Sequence, residues 1–417
     1  MINKKKIIVL PNDLTSSFFV NEIPYLKEYF DDVKIICYNK PSLDAEKIIQ
    51  TYNLECSFLS LHNFNFRNLI SLLKWFLSSQ VREEVIHQFS LSKKGIKKIC
   101  YILLYGIYNV LTSEYLEQEI LKTSTGSPIV LYSYWLSRTA YSIINVKEKH
   151  PNYLIKAISR AHRYDLYEEE NELNYLPFRK PILKGLDNIY PISNDGYIYL
   201  LDKYSVFFTN TNLKSKLCVS RLGTFNKKDI KKIVREKKDI VIASCSFVVN
   251  VKRLDLIIGA VHYMQMKGMK IKWIHIGDGP LMDSIKAMAD RELQNGSFQF
   301  LGRVNNDSIL ETYQKSDVDY FINLSDSEGI PVSIMEAMSV GIPIIARDVG
   351  GNREIVTNNN GCLLEGEEIN LTIYEYIRNR EVQIKRYKES SDSARETWNS
   401  YYSAHKNYEQ FYNLIMR

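Results

Sequence analysis

The chain has 417 residues, more than one hydrophobic core organises and enough for two domains of about 200 residues each. Hydrophobic residues make up 45% and charged residues 24%, which excludes a disordered or fibrous chain. The net charge of +6 comes without an arginine-rich tract or a nucleic-acid-binding signature, so nucleic acid is excluded as a partner and a mild attraction to phosphates or an acidic membrane face remains.

The N-terminal run MINKKKIIVL has too few apolar residues before Pro11 for a signal-peptide core and reads as a first buried strand. Along the first half, KIIVL (6–10), VKIICY (33–38), PIVLYSY (128–134), YLIKAIS (153–159) and LDNIYPIS (186–193) read as strands separated by amphipathic segments. Residues 67–122 interrupt this alternation and read as a helical insertion. Its most apolar stretch, Ile99 to Leu111, is broken by Gly106 and Asn109 and cannot span a bilayer. Within it, Lys93, Lys94, Lys97 and Lys98 lie beside Ile96, Ile99, Ile102, Leu103 and Leu104. That pattern fits either a helix packed on its domain with solvated lysines or a face resting on an anionic bilayer. In ISRAHRYDLYEE (158–169), His162 falls at the carboxyl end of a strand, where α/β sheets bind ligands. Arg160 and Arg163 either serve a substrate or pair with Asp165 and Glu168.

The charged stretch 220–239 marks a domain boundary. Beyond it, IVIASCS (240–246), IKWIHIG (271–277), FQFLG (298–302), DYFINL (319–324) and IPIIA (342–346) continue the strand–helix alternation of a parallel sheet covered by helices. Lys252 and Arg253 stand at the start of a predicted helix, where a cation is disfavoured by about 0.3–1 kcal/mol unless an anion binds there or Asp255 offsets them. Gly277 and Gly279 form a tight strand-to-helix turn, but Met282 occupies the third position of a dinucleotide fingerprint, which excludes that motif. In SEGIPVSIMEAMSVG (327–341), Pro331 suits a first helical turn and Gly341 a left-handed stop, so a helix spans about 331–340. Glu328 then lies on the preceding loop and Glu336 on the helix. Gly329 admits close backbone approach, and the N–H groups of Val332 and Ser333 point at an anion. Two carboxylates flanking an anion site are suited to accepting hydrogen bonds from sugar hydroxyls, although a dipole-stabilising glutamate and a solvated one would share this spacing. Six cysteines without a C-x-x-C pair and seven histidines without ligand spacing predict free thiols in a reducing compartment and no structural metal.

The whole stretch SDSEGIPVSIMEAMSVGIPIIARDVGGNREIV (325–356) resembles the signature of glycosyltransferase family 4, retaining enzymes of GT-B fold. Its two glutamates stand at the E-x7-E positions, and a G-G-x-x-E tail follows. SFVVNVKRLDLIIGA (246–260), WIHIGDGP (273–280) and FQFLGRV (298–304) are similar to further family segments. The resemblance implies an α/β GT-B fold with two Rossmann-like domains facing a central cleft. The first would cover 1–222 with the insertion, and the second, nucleotide-sugar-binding domain 223–392. Residues 393–417 would form a helix returning to the first domain. It implies transfer of a sugar from a nucleotide diphosphate donor, a UDP-sugar, with retention. Lys252, with Arg253, would neutralise the diphosphate, Glu336 would hold the ribose, and Glu328 would hold the donor sugar and the charge developing at its anomeric carbon. His162 would face the sugar, and Gly277, Gly329, Ile330, Val332 and Ser333 would line the donor site without a metal. The acceptor expectation is a glycan, polyprenyl-linked if the basic insertion meets a membrane, in bacterial surface polysaccharide synthesis at the cytoplasmic side. Two departures matter. Phe247 replaces an arginine common in the family, and 11–22 lacks its glycine-rich loop. Phe247 leaves open an alternative, a catalytically silent partner or sugar-binding subunit of the same fold.

Overall fold

The computed structural model describes residues 5–38, 40–89, 92–208, 213–234, 239–382 and 384–416. Residues 1–4 of the first predicted strand's basic flank and 235–238 of the predicted boundary lie outside them. The chain forms two compact units. The first comprises Met1–Ser220 with Tyr408–Arg417, the second Arg221–Asn407.

The first unit carries strands β1 (Lys6–Asn12), β2 (Asp32–Tyr38), β3 (Glu55–Leu59), β4 (Ile129–Ser133), β5 (Ile155–Ala161) and β6 (Asn188–Pro191). Its helices are α1 (Ser17–Tyr29), α2 (Leu43–Tyr52), α3 (Phe66–Phe76), α4 (Ser79–Gln88), α5 (Lys93–Leu121), α6 (Arg138–Lys149), α7 (Arg163–Leu166), α8 (Arg179–Gly185), α9 (Asn194–Tyr204) and α10 (Leu213–Lys216). The second unit carries β7 (Ile240–Cys245), β8 (Ile271–Ile276), β9 (Phe298–Phe300), β10 (Tyr320–Asn323), β11 (Ile344–Arg347) and β12 (Gly361–Leu364). Its helices are α11 (Leu254–Met266), α12 (Met282–Glu292), α13 (Asn306–Lys315), α14 (Val332–Val340), α15 (Asn352–Ile355), α16 (Ile369–Val382) and α17 (Ile384–Thr397); α18 (Ala404–Ile415) starts in it.

Both sheets are parallel and have one topology. The orders are β3-β2-β1-β4-β5-β6 and β12-β11-β10-β7-β8-β9, each the doubly wound arrangement in which strand order reverses beside the first strand. The central strands are apolar on both faces because helices cover both. Ile7, Ile8, Val9 and Leu10 of β1 are fully buried, as is Phe321 of β10, paired with Ala243 and Ile344. Two strands were not predicted, β3 (ECSFL) and β12 (GCLL). Both are sheet edges, short and mixed in polarity, so they lack the continuous apolar run that marks a buried parallel strand.

The helical insertion consists of α3, α4 and α5. Two of the four lysines at the start of α5 are engaged: Lys97 pairs with Glu172 and Lys98 donates to Gln88 at 2.9 Å. Ile102 and Tyr105 are buried, so α5 packs on its own unit. The C-terminal segment is not one helix. α17 passes into a π turn at Trp398–Tyr402 before α18, and the segment from Tyr408 groups with the first unit while residues up to Asn407 group with the second. Trp398, Tyr402 and Tyr408 are buried packing residues.

Candidate active site

In a doubly wound sheet, ligands sit outside the carboxyl ends of strands where the order reverses. In the second unit that point lies between β7 and β10. The loops leaving these two strands carry Lys252, Arg253 and Glu328, and a backbone bond from Asp326 N to Val251 O at 2.8 Å joins them.

α14 begins at Val332 with Pro331 as its cap residue and ends at Gly341, whose φ of 88° is the left-handed conformation. A proline has no side chain with which to cap, so the first N–H groups, those of Val332 and Ser333, keep their positive end free for an anion. Just before this end, Glu328 Oε1 accepts from Lys252 Nζ at 2.7 Å and from Asn323 Nδ2 at 3.1 Å. The Glu328 side chain is 7% exposed and that of Lys252 25%, so the pair is tight and mostly desolvated. Gly329 is half-buried and Ile330 is packed into the core.

The backbone of Glu328 is fixed from the far side by Gly350. A Cβ at this glycine, whose φ is 49°, would lie 2.0 Å from the Glu328 carbonyl oxygen. The glycine tail of the motif therefore sets the position of its first glutamate.

Arg253 is held differently. Its guanidinium donates to Asp255 (Nη2 to Oδ2, 3.0 Å) and Asp326 (Nη1 to Oδ1, 3.0 Å), and Arg347 also donates to Asp326. These contacts, Asp255 first, raise the Arg253 pKa. Lys252, Arg253 and Arg347 thus face Glu328, Asp255 and Asp326, three charges of each sign before any ligand arrives.

Glu336, on the second turn of α14, is half-buried, and burial pushes its carboxyl up to about 7. It lies by Cys245 at the end of β7, whose thiol burial, reinforced by Glu336, pushes up to about 12. Cys245 opens a cavity of about 780 Å³ at the carboxyl ends of β7, β8 and β9, lined also by Phe247, Gly277, Asp278, Arg303 and Val304. Gly277 is required at its turn: φ is 135°, and a Cβ would lie 1.9 Å from the Ser246 carbonyl oxygen. Arg303 and Val304, which line this cavity, and Asn323, which holds Glu328, are not among the residues the sequence singles out. Each is a residue just past, or at the end of, an apolar strand run, and that position was the available signal.

His162 belongs to the first unit, at the end of β5. It is 7% exposed and packs against Trp135 and Tyr134, with ring centroids 4.4 and 5.1 Å away. Its backbone N–H donates to Asp165 Oδ1 at 2.6 Å, its Nδ1 lies 3.8 Å from that carboxylate, and neither ring nitrogen makes a hydrogen bond. The two arginines flanking it are both engaged by neighbouring side chains. Arg160 is fully buried, donating to Tyr132 Oη at 2.8 Å and to the Ser220 carbonyl at 3.0 Å beside Glu22. Arg163 pairs with Glu170 at 2.7 Å. Among the described residues, no group of three or more His, Cys, Asp or Glu is placed to hold a metal.

Residues 225–395 match the family described as glycosyl transferases group 1. Within the chain, 93 residues are 39% identical to the O-antigen biosynthesis glycosyltransferase WbnH of Escherichia coli, covering 22% of this chain and 25% of that protein. A stretch of 107 residues is 33% identical to the UDP-Gal:alpha-D-GlcNAc-diphosphoundecaprenol alpha-1,3-galactosyltransferase of E. coli, covering 25% and 27%. The matches thus span about a quarter of the length of these curated relatives. In fold the likeness covers 99% of both chains for the lipopolysaccharide outer core galactosyltransferase WaaB (TM-score 0.69, 14% identity) and for HepE of Anabaena in complex with UDP (0.66, 13%). The two units have the GT-B fold.

Proposed function

We propose that the chain is a retaining glycosyltransferase of family 4 that moves a sugar from a UDP-sugar to a glycan acceptor. The observation that carries this reading is the Lys252–Glu328 pair beside the uncapped N-terminus of α14, at the switch point of a group 1 domain. On donor binding, the β-phosphate replaces Glu328 as the partner of Lys252, and the α14 N–H groups share its charge. This stabilises the diphosphate as it leaves, the main electrostatic task of the reaction. Glu328, released, accepts from donor-sugar hydroxyls and faces the positive charge developing at the anomeric carbon. Glu336 accepts from the ribose, and the cavity past β7–β9 receives the base. With these groups in place the reaction needs no metal, so a chelator leaves the rate unchanged.

The acceptor class is a lipid-linked saccharide of bacterial surface polysaccharide synthesis, met at the inner face of the cell membrane. The O-antigen role of WbnH and the diphosphoundecaprenol-linked acceptor of the E. coli galactosyltransferase support this class. No helix among the described residues is long and apolar enough to cross a membrane.

The test is UDP release and product formation from a panel of UDP-sugars with polyprenyl-diphosphate saccharides, with the product anomer read by NMR. Lys252→Ala is expected to lower kcat by about 10²–10³; a variant as active as the wild type contradicts the reading. Phe247, 61% exposed in the cavity, favours a second reading, a silent sugar-binding subunit, although Arg303 supplies a cation to the same cavity. UDP binding without turnover of any donor would select it.

A further inference from the structure

An amphipathic helix on a folded unit ordinarily turns its apolar stripe inward. α3 does the reverse. Phe66, Leu69, Ile70 and Leu73 follow the i, i+3, i+4, i+7 spacing of one face, and Leu77 continues it just past the helix. They are 76%, 43%, 40%, 56% and 68% exposed. The inward face is fixed by polar anchors. Asn68, 2% exposed, donates to Glu114 at 2.6 Å, and Trp75 donates from Nε1 to Tyr141 Oη at 3.1 Å. Trp75 also occupies the space left by Gly106, where a Cβ would meet its ring at 2.2 Å. Asn65 and Asn68 close a capping box at the start. The helix therefore cannot roll its apolar stripe into the unit without breaking these contacts.

One edge of the stripe carries Arg67 and Lys74, both exposed, and α3 has no carboxylate. An exposed apolar stripe with a basic edge is complementary to an anionic lipid surface. The alternative occupant, a second copy, fits less well. An 11-residue helix is about 16 Å long. One such strip on each of two copies falls short of the roughly 1,200 Å² of a stable interface, whereas a bilayer takes one face of one helix. We propose that α3 seats the chain on an anionic bilayer by inserting Phe66, Leu69, Ile70, Leu73 and Leu77 at the headgroup boundary. The lysine run at the start of α5, with Lys97 and Lys98 already engaged, plays the lesser part. This deepens the proposed function by naming the surface on which a lipid-linked acceptor would be met. Its geometry does not depend on the donor site.

Flotation of the full chain with phosphatidylglycerol-containing vesicles and with phosphatidylcholine vesicles tests it. The wild type should float with the anionic vesicles. Leu69→Gln with Leu73→Gln should lower the partition by at least about tenfold, and Arg67→Gln with Lys74→Gln should remove the preference for anionic lipid. Both variants should keep the wild-type thermal shift with UDP, which separates this proposal from a failure of the donor site and controls for folding. Absence of wild-type flotation, or equal flotation of the leucine variant, overturns it. So does a wild-type dimer in sedimentation that the leucine variant dissolves, since the stripe would then be a contact between copies.

Discussion

Glu336 concentrates the account into one side chain. Its carboxyl is pushed up to about 7 by burial, while Cys245 and His275 on the neighbouring strands are moved by burial to about 12 and about 4, away from that range. An acid with a raised folded pKa holds its proton more tightly folded than unfolded. Stability therefore falls as pH rises from the unfolded value of about 4.5, and the full cost, at most about 3 kcal/mol, is present above 7. Glu336→Gln should accordingly raise the urea midpoint at pH 8, with the gain shrinking towards pH 5. Ribose hydroxyls donating to Glu336 favour its ionised form, so nucleotide binding should expel a proton and weaken as pH falls through 7. Calorimetry in buffers of different ionisation enthalpy reads that proton; the same proton release in Glu336→Gln would contradict the assignment. At this scale the sequence revealed the two glutamates, because Pro331 and Gly341 mark the helix between them. It could not show that Lys252 pairs with Glu328, since 76 residues separate them and only the fold brings them together.

Among the elements, α14 and the tight turn after β11 position the chemistry jointly. Gly350 gives the backbone of Glu328 its place by offering no Cβ. Gly350→Ala should therefore lower turnover by more than about tenfold while circular dichroism stays that of the wild type, because a displacement of about 1 Å is enough to misplace a reacting group. Wild-type turnover would show that the loop yields freely. α14 was legible to within a residue because its stop signals are local. β3 and β12 were not, because these two edge strands, ECSFL and GCLL, are short and mixed in polarity. α3 was read only as part of a helical insertion, because sequence periodicity shows a stripe but not which way it faces; Asn68 and Trp75 decide that through contacts with α5 and α6.

On the scale of the molecule, both units repeat one topology, and the alternating apolar runs announced it. What ties the last helix into the first unit was not legible. Tyr412 Oη donates to Glu22 at 2.7 Å, Glu22 lies 3.5 Å from Arg160, and the Arg160 guanidinium sits 3.7 Å from the Phe411 ring centre. The ion pair has no exposure on either side chain. Breaking it from one side should cost about 3–5 kcal/mol, and replacing both partners with apolar residues should restore much of this. Urea denaturation of Arg160→Met, Glu22→Leu and the double variant measures it. Additive losses would mean that the two side chains act separately.

The central claim is that the group 1 unit binds a nucleoside diphosphate between Lys252, the start of α14 and Glu336. Thermal unfolding of the full chain with UDP, GDP, ADP and CDP, for the wild type, Lys252→Ala and Glu336→Ala, tests it most directly. A ligand at a hundred times its Kd adds about 2.7 kcal/mol of stability. The account predicts a UDP-selective rise in Tm that both substitutions abolish. A wild type indifferent to every nucleotide, or a shift that survives in Glu336→Ala, would contradict it.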